Sequence, residues 1–409
     1  MTTTQSTTET QGAAAAPNGL AEHSHVGGRT VRTSGVESHL HPIGSANIAD
    51  HPVPTSKSEL WRFTPLRRLR NLHADAPFGT PSITTDASVP DGVQVRTVSG
   101  EQAVALKGSS GYLPTDRFTA RIMAEVPDTL LVDVPAEQAV TEPVVITLKG
   151  SDAASAQAGH LLIRIGTHAR ADVVLQHEGS ATAAQLVEIS VGDGATANIV
   201  TVADWSPDAV HLAHHNIAVG RDARVKHTTL TFGGDLVRTA IDVDYRGPGG
   251  DVELLGLYFA DAGQHLEHRI FVDHDAPNCR SRVLYKGALQ GDAARTVWIG
   301  DVLIRQEAEG TDTYEMNRNL LLTDGCRADS VPNLEIETGE IVGAGHASAT
   351  GRFDDEHLFY LQSRGISPDM AKRLVVRGFF GEVLHKIGIP AVVDRITETI
   401  ERELAITGN

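Results

Sequence analysis

The sequence predicts a mainly β protein: a right-handed parallel β-helix, a solenoid of strands, flanked by N-terminal and C-terminal α-helical regions. Three observations predict it. Apolar residues alternate with period two at Leu130, Val132 and Val134, at Leu161, Ile163 and Ile165, and at Ile189 and Val191, each run bounded by Gly or Asp. A short unit repeats: Gly166-Thr-His-Ala169-Arg-Ala171 returns as Gly192-Asp-Gly-Ala195-Thr-Ala197 and Gly220-Arg-Asp-Ala223-Arg-Val225, and more weakly at Gly247-Pro-Gly-Gly250-Asp-Val252. Before residue 120 and after residue 350 the alternation gives way to helical spacing.

The repeat decides the architecture. Its steps are 26, 28 and 27 residues, and two further copies start at Gly291 and Thr323. Units of that length stack as coils, each touching mainly its neighbours. Propeller blades need about 40 residues or more, and a recurring Leu-x-x-Leu-x-Leu is missing, so a strand-only coil fits best. Gly makes the bend, a small residue follows it inward, and alternating apolar residues line the strand.

The chain divides into a mobile tail over 1–50, a helical region over 51–120, the β-helix core over 121–350 and a helical domain over 351–409. The tail is rich in Thr, Ala and Gly, and its histidines His23, His25, His39, His41 and His51 are scattered. Ser56-Lys57-Ser58-Glu59 has capping-box spacing, and Thr64-Pro65 offers a second helix start. Arg62, Arg67, Arg68 and Arg70 read as a solvated basic face. At the other end, a helix over Glu356–Ser363 capped by Asp354 or Asp355 stops at Gly365, a second starts at Ser367-Pro368-Asp369, and a third follows Gly388 and Pro390.

Composition excludes several functions. A net charge of −17 disfavours general binding to nucleic acid or anionic lipid. No apolar run is long enough to span a membrane, and the N-terminus lacks the basic start of a secretory leader. With only Cys279 and Cys326, the chain has neither a disulfide framework nor four thiolates for a self-contained cluster, which fits a cytoplasmic setting. There is no P-loop, no Gly-x-Ser-x-Gly elbow and no His-Glu-x-x-His. Asp242 and Asp244 share a strand face and offer a glycosidase-like acid pair, although solvated acids fit an acidic chain better. His211, His214 and His215, and His265, His268 and His274, read as hydrogen-bonded structural groups, since i and i+3 on a strand point to opposite faces. Both cysteines read as small apolar fillers. His346, in Gly343-Ala-Gly-His346-Ala-Ser-Ala-Thr350-Gly where strands give way to helices, is a candidate iron ligand among small neighbours.

Several strings resemble the SufB/SufD family: Ser58-Glu-Leu-Trp61-Arg-Phe-Thr-Pro65-Leu, Asn317-Arg-Asn-Leu-Leu-Leu322, Leu334-Glu-Ile336-Glu, Gly345-His346-Ala-Ser-Ala-Thr350-Gly and Leu358-Phe-Tyr-Leu-Gln-Ser-Arg-Gly365-Ile. The scarce cysteines and modest length resemble the SufD type more than the SufB type. The resemblance implies a non-enzymatic, cytoplasmic scaffold subunit of a SufBCD complex for iron–sulfur cluster assembly. It implies pairing with a SufB-type paralogue through the β-helix, and homodimers when the chain is alone. It also implies docking of the SufC ATPase by the C-terminal helices, with Met370, Leu374, Val375, Phe379 and Phe380 on that surface. His346 would serve as metal and cofactor ligand for a transient iron–sulfur cluster shared with SufB, and the isolated chain would hold no stable cofactor. Some SufD sequences have Cys two residues before this histidine; here the residue is Ala344. The alternatives are a SufB-like member carrying the cluster itself and a β-helix carbohydrate-active enzyme using Asp242 and Asp244.

Overall fold

The structure is a computed structural model that describes residues 24–26, 29–31, 40–41, 43–79, 82–353 and 355–406. Most of the expected tail, and the cap expected at Asp354, lie outside these residues. Strand accounts for 48% and helix for 18%, arranged as a parallel solenoid of about 8 turns, so the chain is mainly β as the sequence predicts.

Two short strands, β1 (Ser24–Val26) and β2 (Arg29–Val31), pair with each other alone. The solenoid is started by two antiparallel additions, β3 (Ile83–Ser88) and β4 (Gln94–Ser99), and two short helices, α1 (Gly100–Leu106) and α2 (Arg117–Glu125). β5 (Asp128–Val134) and the long β6 (Val144–Ile165) and β7 (Arg170–Val191) make its first coils, β6 and β7 running parallel over both faces. The segment read as helical before residue 120 therefore also supplies two strands. They cover the edges of the first coils, which would otherwise be open for pairing with other chains.

Beyond β7 each coil gives one strand to each of two faces. One face stacks β8 (Thr196–Trp205), β10 (Arg224–Thr231), β12 (Asp251–Ala260), β14 (Arg280–Leu289), β16 (Asp312–Leu321) and β18 (Gly343–Arg352). The other stacks β9 (Val210–Val219), β11 (Leu236–Tyr245), β13 (His265–His274), β15 (Arg295–Ile304) and β17 (Arg327–Ile336). All neighbours on both faces are parallel and in register.

The sequence repeat is the corner leading into the first face. The copies at Gly166, Gly192, Gly220 and Gly247 enter β7, β8, β10 and β12 in turn. Each corner turns on a residue with positive φ: His168, Gly194, Asp222, Gly249, Asn278 and Gly310. Side chains alternate with glycine because neighbouring corners touch: a Cβ on Gly249 would collide with the Asp222 carboxyl of the coil below. The next residue is small and turned inward: Ala169, Ala195, Ala223, Gly250, Cys279 and Thr311 are all buried. The copies at Gly291 and Thr323 do not continue this column. They are the opposite corner, leading into β15 and β17, where Ala293 and Gly325 have the positive φ. Both corners need the same backbone, so they carry the same short signature.

Three layers of apolar packing hold the molecule together. Inside lie the inward aliphatics, among them Val173, Ile199, Val225, Leu254, Ile241 and Val272. Outside the β9 face, Trp61, Leu69, Phe118 and Ile122 cover Leu186, Val210, Leu212 and Leu236. Outside the β8 face, the C-terminal helices cover Val200, Val202, Leu230, Phe232, Leu255 and Leu257. These helices are α3 (Asp355–Gln362), α4 (Pro368–Ile387) and α5 (Pro390–Ile406). Ser367 Oγ accepts from the Met370 N–H, and Gly388 ends α4 at φ 78°. The α4 C-terminus is fastened to the sheet: Asn198 Nδ2 and Lys226 Nζ donate to the Ile387 and Lys386 carbonyls at 3.1 and 2.8 Å.

The N-terminal helix starts differ from the sequence reading. Ser58 precedes only a 3₁₀ turn over Glu59–Trp61 and makes no side-chain cap. Thr64 is buried, and its hydroxyl donates to Glu267 at 2.8 Å instead of capping. Arg68 and Arg70 are clamps rather than a solvated face: Arg68 pairs with Asp235 at 2.7 Å, and Arg70 donates to the Ala153 and Asp208 carbonyls at 2.9 and 2.8 Å.

Candidate functional site

Strand alternation sorts the chemistry-bearing side chains. On β13, His265 faces outward and meets Glu267 at 3.2 Å, while His268 faces inward, stacked on Tyr258 at 4.8 Å. On β9, His215 faces inward and meets His227 across the interior at 3.1 Å, while His214 faces outward toward Asp242 at 3.2 Å. His274 lies inward, stacked on Tyr245 and 2.9 Å from Ser281 Oγ. Burial lowers the interior imidazoles to about 4 at His177 and His227, and to about 3 at His268 and His274, so all four are neutral. Glu267 goes the other way: burial opposes ionisation, but the His265 hydrogen bond and Arg238 hold it at about 2.

Asp242 and Asp244 do share the outward face of β11. Each is engaged, Asp242 by His214 and Asp244 by the Asn216 amide at 2.8 Å. The cysteines are turn residues. Cys279 is buried in the corner column and its thiol is pushed up to about 11 by burial. Cys326 Sγ lies 3.3 Å from the Gly291 carbonyl at the opposite corner.

The two ends of the solenoid are unlike. β3 and β4 pair across the first coils, whereas among the described residues β17 pairs only with β15 and β18 only with β16. Among the described residues, the last coil therefore presents two strand edges with no strand beyond them, which is a template for another chain. His346 is on this rim. It occupies an inward position of β18, in register with Glu315 of β16, and it is exposed, with no described strand above it.

Sequence reasoning passed over Glu315, which is 1% exposed with neither carboxyl oxygen hydrogen-bonded among the described residues. Burial raises its pKa well above the ordinary value, and Asp301 adds to the shift. The sequence hides it: the apolar residues of this strand, Tyr314, Met316 and Leu320, alternate on the outward face, so the pattern reads Glu315 as facing away from the core.

The predicted helix residues separate. Met370 and Leu374 are 48% and 44% exposed, and Phe359 and Tyr360 on α3 are exposed as well. Val375 and Phe379 are half-buried. Phe380 must be corrected: it is fully buried in the α4–sheet interface with Val376, Val383 and Ile387, and is not on a free surface. The α4 sequence is apolar on more than one side, so spacing alone does not say which side meets the sheet. Among the described residues, no helix is long and apolar enough to cross a membrane.

A family model described as "SUF system FeS cluster assembly, SufBD core domain" matches residues 146–379, more than half the chain and nearly all of the solenoid. The chain belongs to the SufBD family. An iron–sulfur cluster assembly SufBD family protein of Mycobacterium tuberculosis H37Rv is 52% identical over 386 residues, covering 92% of this chain and 96% of that one. The iron–sulfur cluster assembly protein SufD of Escherichia coli K12 is 25% identical over 407 residues, covering 92% and 94%. The Bacillus subtilis SufD is 25% identical over 296 residues, covering 70% and 67%. The SufD-type resemblance in the sequence thus extends to whole relatives, and this SufBD-family chain is a member of an iron–sulfur cluster assembly family.

Proposed function

We propose that this SufBD-family chain is a non-enzymatic, SufD-type scaffold subunit. Its open rim mates with a SufB-type paralogue, and its C-terminal helices dock a SufC-type ATPase. One observation carries the reading: a solenoid closed at its first coils ends, among the described residues, in an uncapped coil, with His346 exposed on it. Family membership supports the same assignment. A stacked partner would continue both faces by strand pairing and remove the edges from water.

The docking surface is formed by Met370 and Leu374, rimmed by Val375 and Phe379, with Phe359 and Tyr360 nearby. Nucleotide-driven closure of two ATPase subunits would pull α4 and α5. These helices are fixed to the sheet by Lys286, which donates to the Phe379 carbonyl at 3.0 Å and pairs with Glu382 at 2.8 Å, and by Lys386 on Glu253 at 2.7 Å. A pull on the helices would therefore reach the later coils and the rim. Iron and sulfide are the cargo. At the rim His346 supplies an imidazole, and the SufB-type partner supplies thiolate. Assembly of this kind takes place in the cytoplasm.

Co-expression of the chain with SufB-type and SufC-type partners, one of them tagged, tests this by native mass spectrometry. A complex containing all three chains is expected. Recovery of the chain alone or only as a homodimer, with both partners present and folded, would overturn the reading.

A further inference from the structure

The interior of the first coils is not filled. A cavity of about 160 Å³ lies there, at the opposite end of the solenoid from the last coil. Its position follows from how that end is closed. β5 pairs with β6 from Leu161 onward, and β3 pairs with it only from Val145 to Gly150. The corner of β6 between them, 151–160, has no described strand beneath it, and Gln157 and Gly159 of that corner line the cavity. Gln157 is fastened at the lip, where Oε1 accepts from the Ser82 and Ile83 N–H groups at 2.6 and 3.1 Å.

One wall is apolar, with Leu130, Leu148 and Leu161. The other is polar and buried, with His177, Trp205 and His211. His177 is engaged on both nitrogens, Nδ1 at 3.2 Å from the Val202 carbonyl oxygen and Nε2 at 2.9 Å from Gln185 Oε1. Trp205 and His211 pack edge to face at 5.4 Å, but the indole N–H of the first and Nδ1 of the second have no hydrogen-bond partner among the described residues. An indole N–H can only donate. Buried without an acceptor, it costs free energy that a bound acceptor would recover. Burial, with His177 alongside, lowers His211 well below its ordinary pKa, so this imidazole is neutral. No Asp, Glu, Lys or Arg lines the cavity, so an ion entering it would meet no counter-charge. Gly159 marks the free space: its position faces inward in step with Leu161 and Ile163, yet a Cβ built there meets nothing within 4 Å.

We propose that this cavity binds an uncharged small molecule of single-ring size that carries a hydrogen-bond acceptor, seated on Trp205 Nε1 and His211 Nδ1. The size follows from the volume, close to the roughly 150 Å³ that holds one benzene ring. The acceptor follows from the indole N–H, and the lack of charge follows from the lining. A neutral imidazole beside the indole adds a second polar contact, which suits a ring amide or a hydroxylated ring better than a hydrocarbon. The three leucines cover the face of the ring. Neither the last coil nor the outer side of α4 takes part, so the site does not depend on the assembly reading.

The test uses the full chain, labelled with ¹⁵N, with 2-pyridone as the probe and benzene as its apolar match. The chain has three tryptophans, Trp61, Trp205 and Trp298, so the indole region of the NMR spectrum holds three signals, and Trp205→Phe assigns one of them. Added 2-pyridone should shift the Trp205 signal to saturation and leave the other two in place. By saturation-transfer NMR, Trp205→Phe should weaken 2-pyridone about tenfold and leave benzene unchanged. Gly159→Leu fills the cavity from a position with room for a side chain and should abolish binding of both. Circular dichroism and melting check that the variants keep the fold; if Trp205→Phe does not, Gly159→Leu decides. No saturable shift at Trp205 would overturn the proposal and leave the cavity to water. Benzene binding as tightly as 2-pyridone would overturn the polar seat, and 2-pyridone still binding to Gly159→Leu would overturn the site.

Discussion

At the scale of single residues, the chain keeps groups that a purely structural core would not select. Burial holds the Glu315 carboxyl well above its ordinary pKa near 4.5, so the fold keeps its proton at pH values where the unfolded chain has lost it. The native state then binds the extra proton, so stability falls as pH rises past that value. Glu315→Gln removes this penalty. Thermal melting should show the variant more stable at pH 7.5 by about 1–3 kcal/mol, with the gain shrinking toward pH 4; a variant less stable at pH 7.5 would contradict the assignment of an unpartnered acid. The interior histidines act with the opposite sign. Their folded pKa values of about 3 to 4 lie below the unfolded 6.5, so the unfolded chain binds more protons as pH falls. Stability is complete above pH 6.5 and is lost below it, each histidine steepening the slope by about 1.4 kcal/mol per pH unit. In the Glu315→Gln background, where that carboxyl no longer opposes them, melts from pH 8 to 4.5 should be flat and then drop; a melting temperature unchanged down to pH 5 would mean the imidazoles are not held neutral.

At the scale of elements, α4 does two jobs on two sides. Phe380→Ala leaves a hole against the sheet and should destabilise the helical domain by about 3–5 kcal/mol, seen as early proteolysis of the C-terminal helices. Met370→Ser with Leu374→Ser leaves that interface alone. It should keep the folding stability within about 0.5 kcal/mol of the original while weakening capture of a SufC-type ATPase in a pull-down. If Phe380→Ala were neutral and the double variant unstable, the two sides have been assigned in reverse. The elements also show what the sequence could and could not tell. The helix over Pro368–Ile387 was legible from Ser367-Pro368 and Gly388, because caps act locally. Which of its faces meets the sheet was not, because that depends on residues far back along the chain, such as Leu284 and Phe232. Thr64 looks like a cap beside Pro65, yet its partner is Glu267, brought close only by the fold.

At the scale of the molecule, the solenoid is a ruler with one finished end. The early repeat was legible because coils of nearly constant length keep the corner signature in phase. Later coils lengthen, with first-face strands starting at 251, 280, 312 and 343, and the copies at Gly291 and Thr323 belong to the opposite corner. The candidate site was half legible. His346 stands among small residues at the point where strands end, whereas Glu315 gains meaning only when the register puts it beneath that histidine. Everything in the functional account follows from the last coil being a mating surface and the outer side of α4 a docking surface. Hydrogen–deuterium exchange of the chain, alone and co-purified with SufB-type and SufC-type partners, tests this most directly. The account predicts that the complex protects the backbone of Arg327–Ile336 and Gly343–Arg352 and the first turns of α4, leaving β3 and β4 unchanged; protection at β3 and β4 with the last coil still exchanging freely would contradict it.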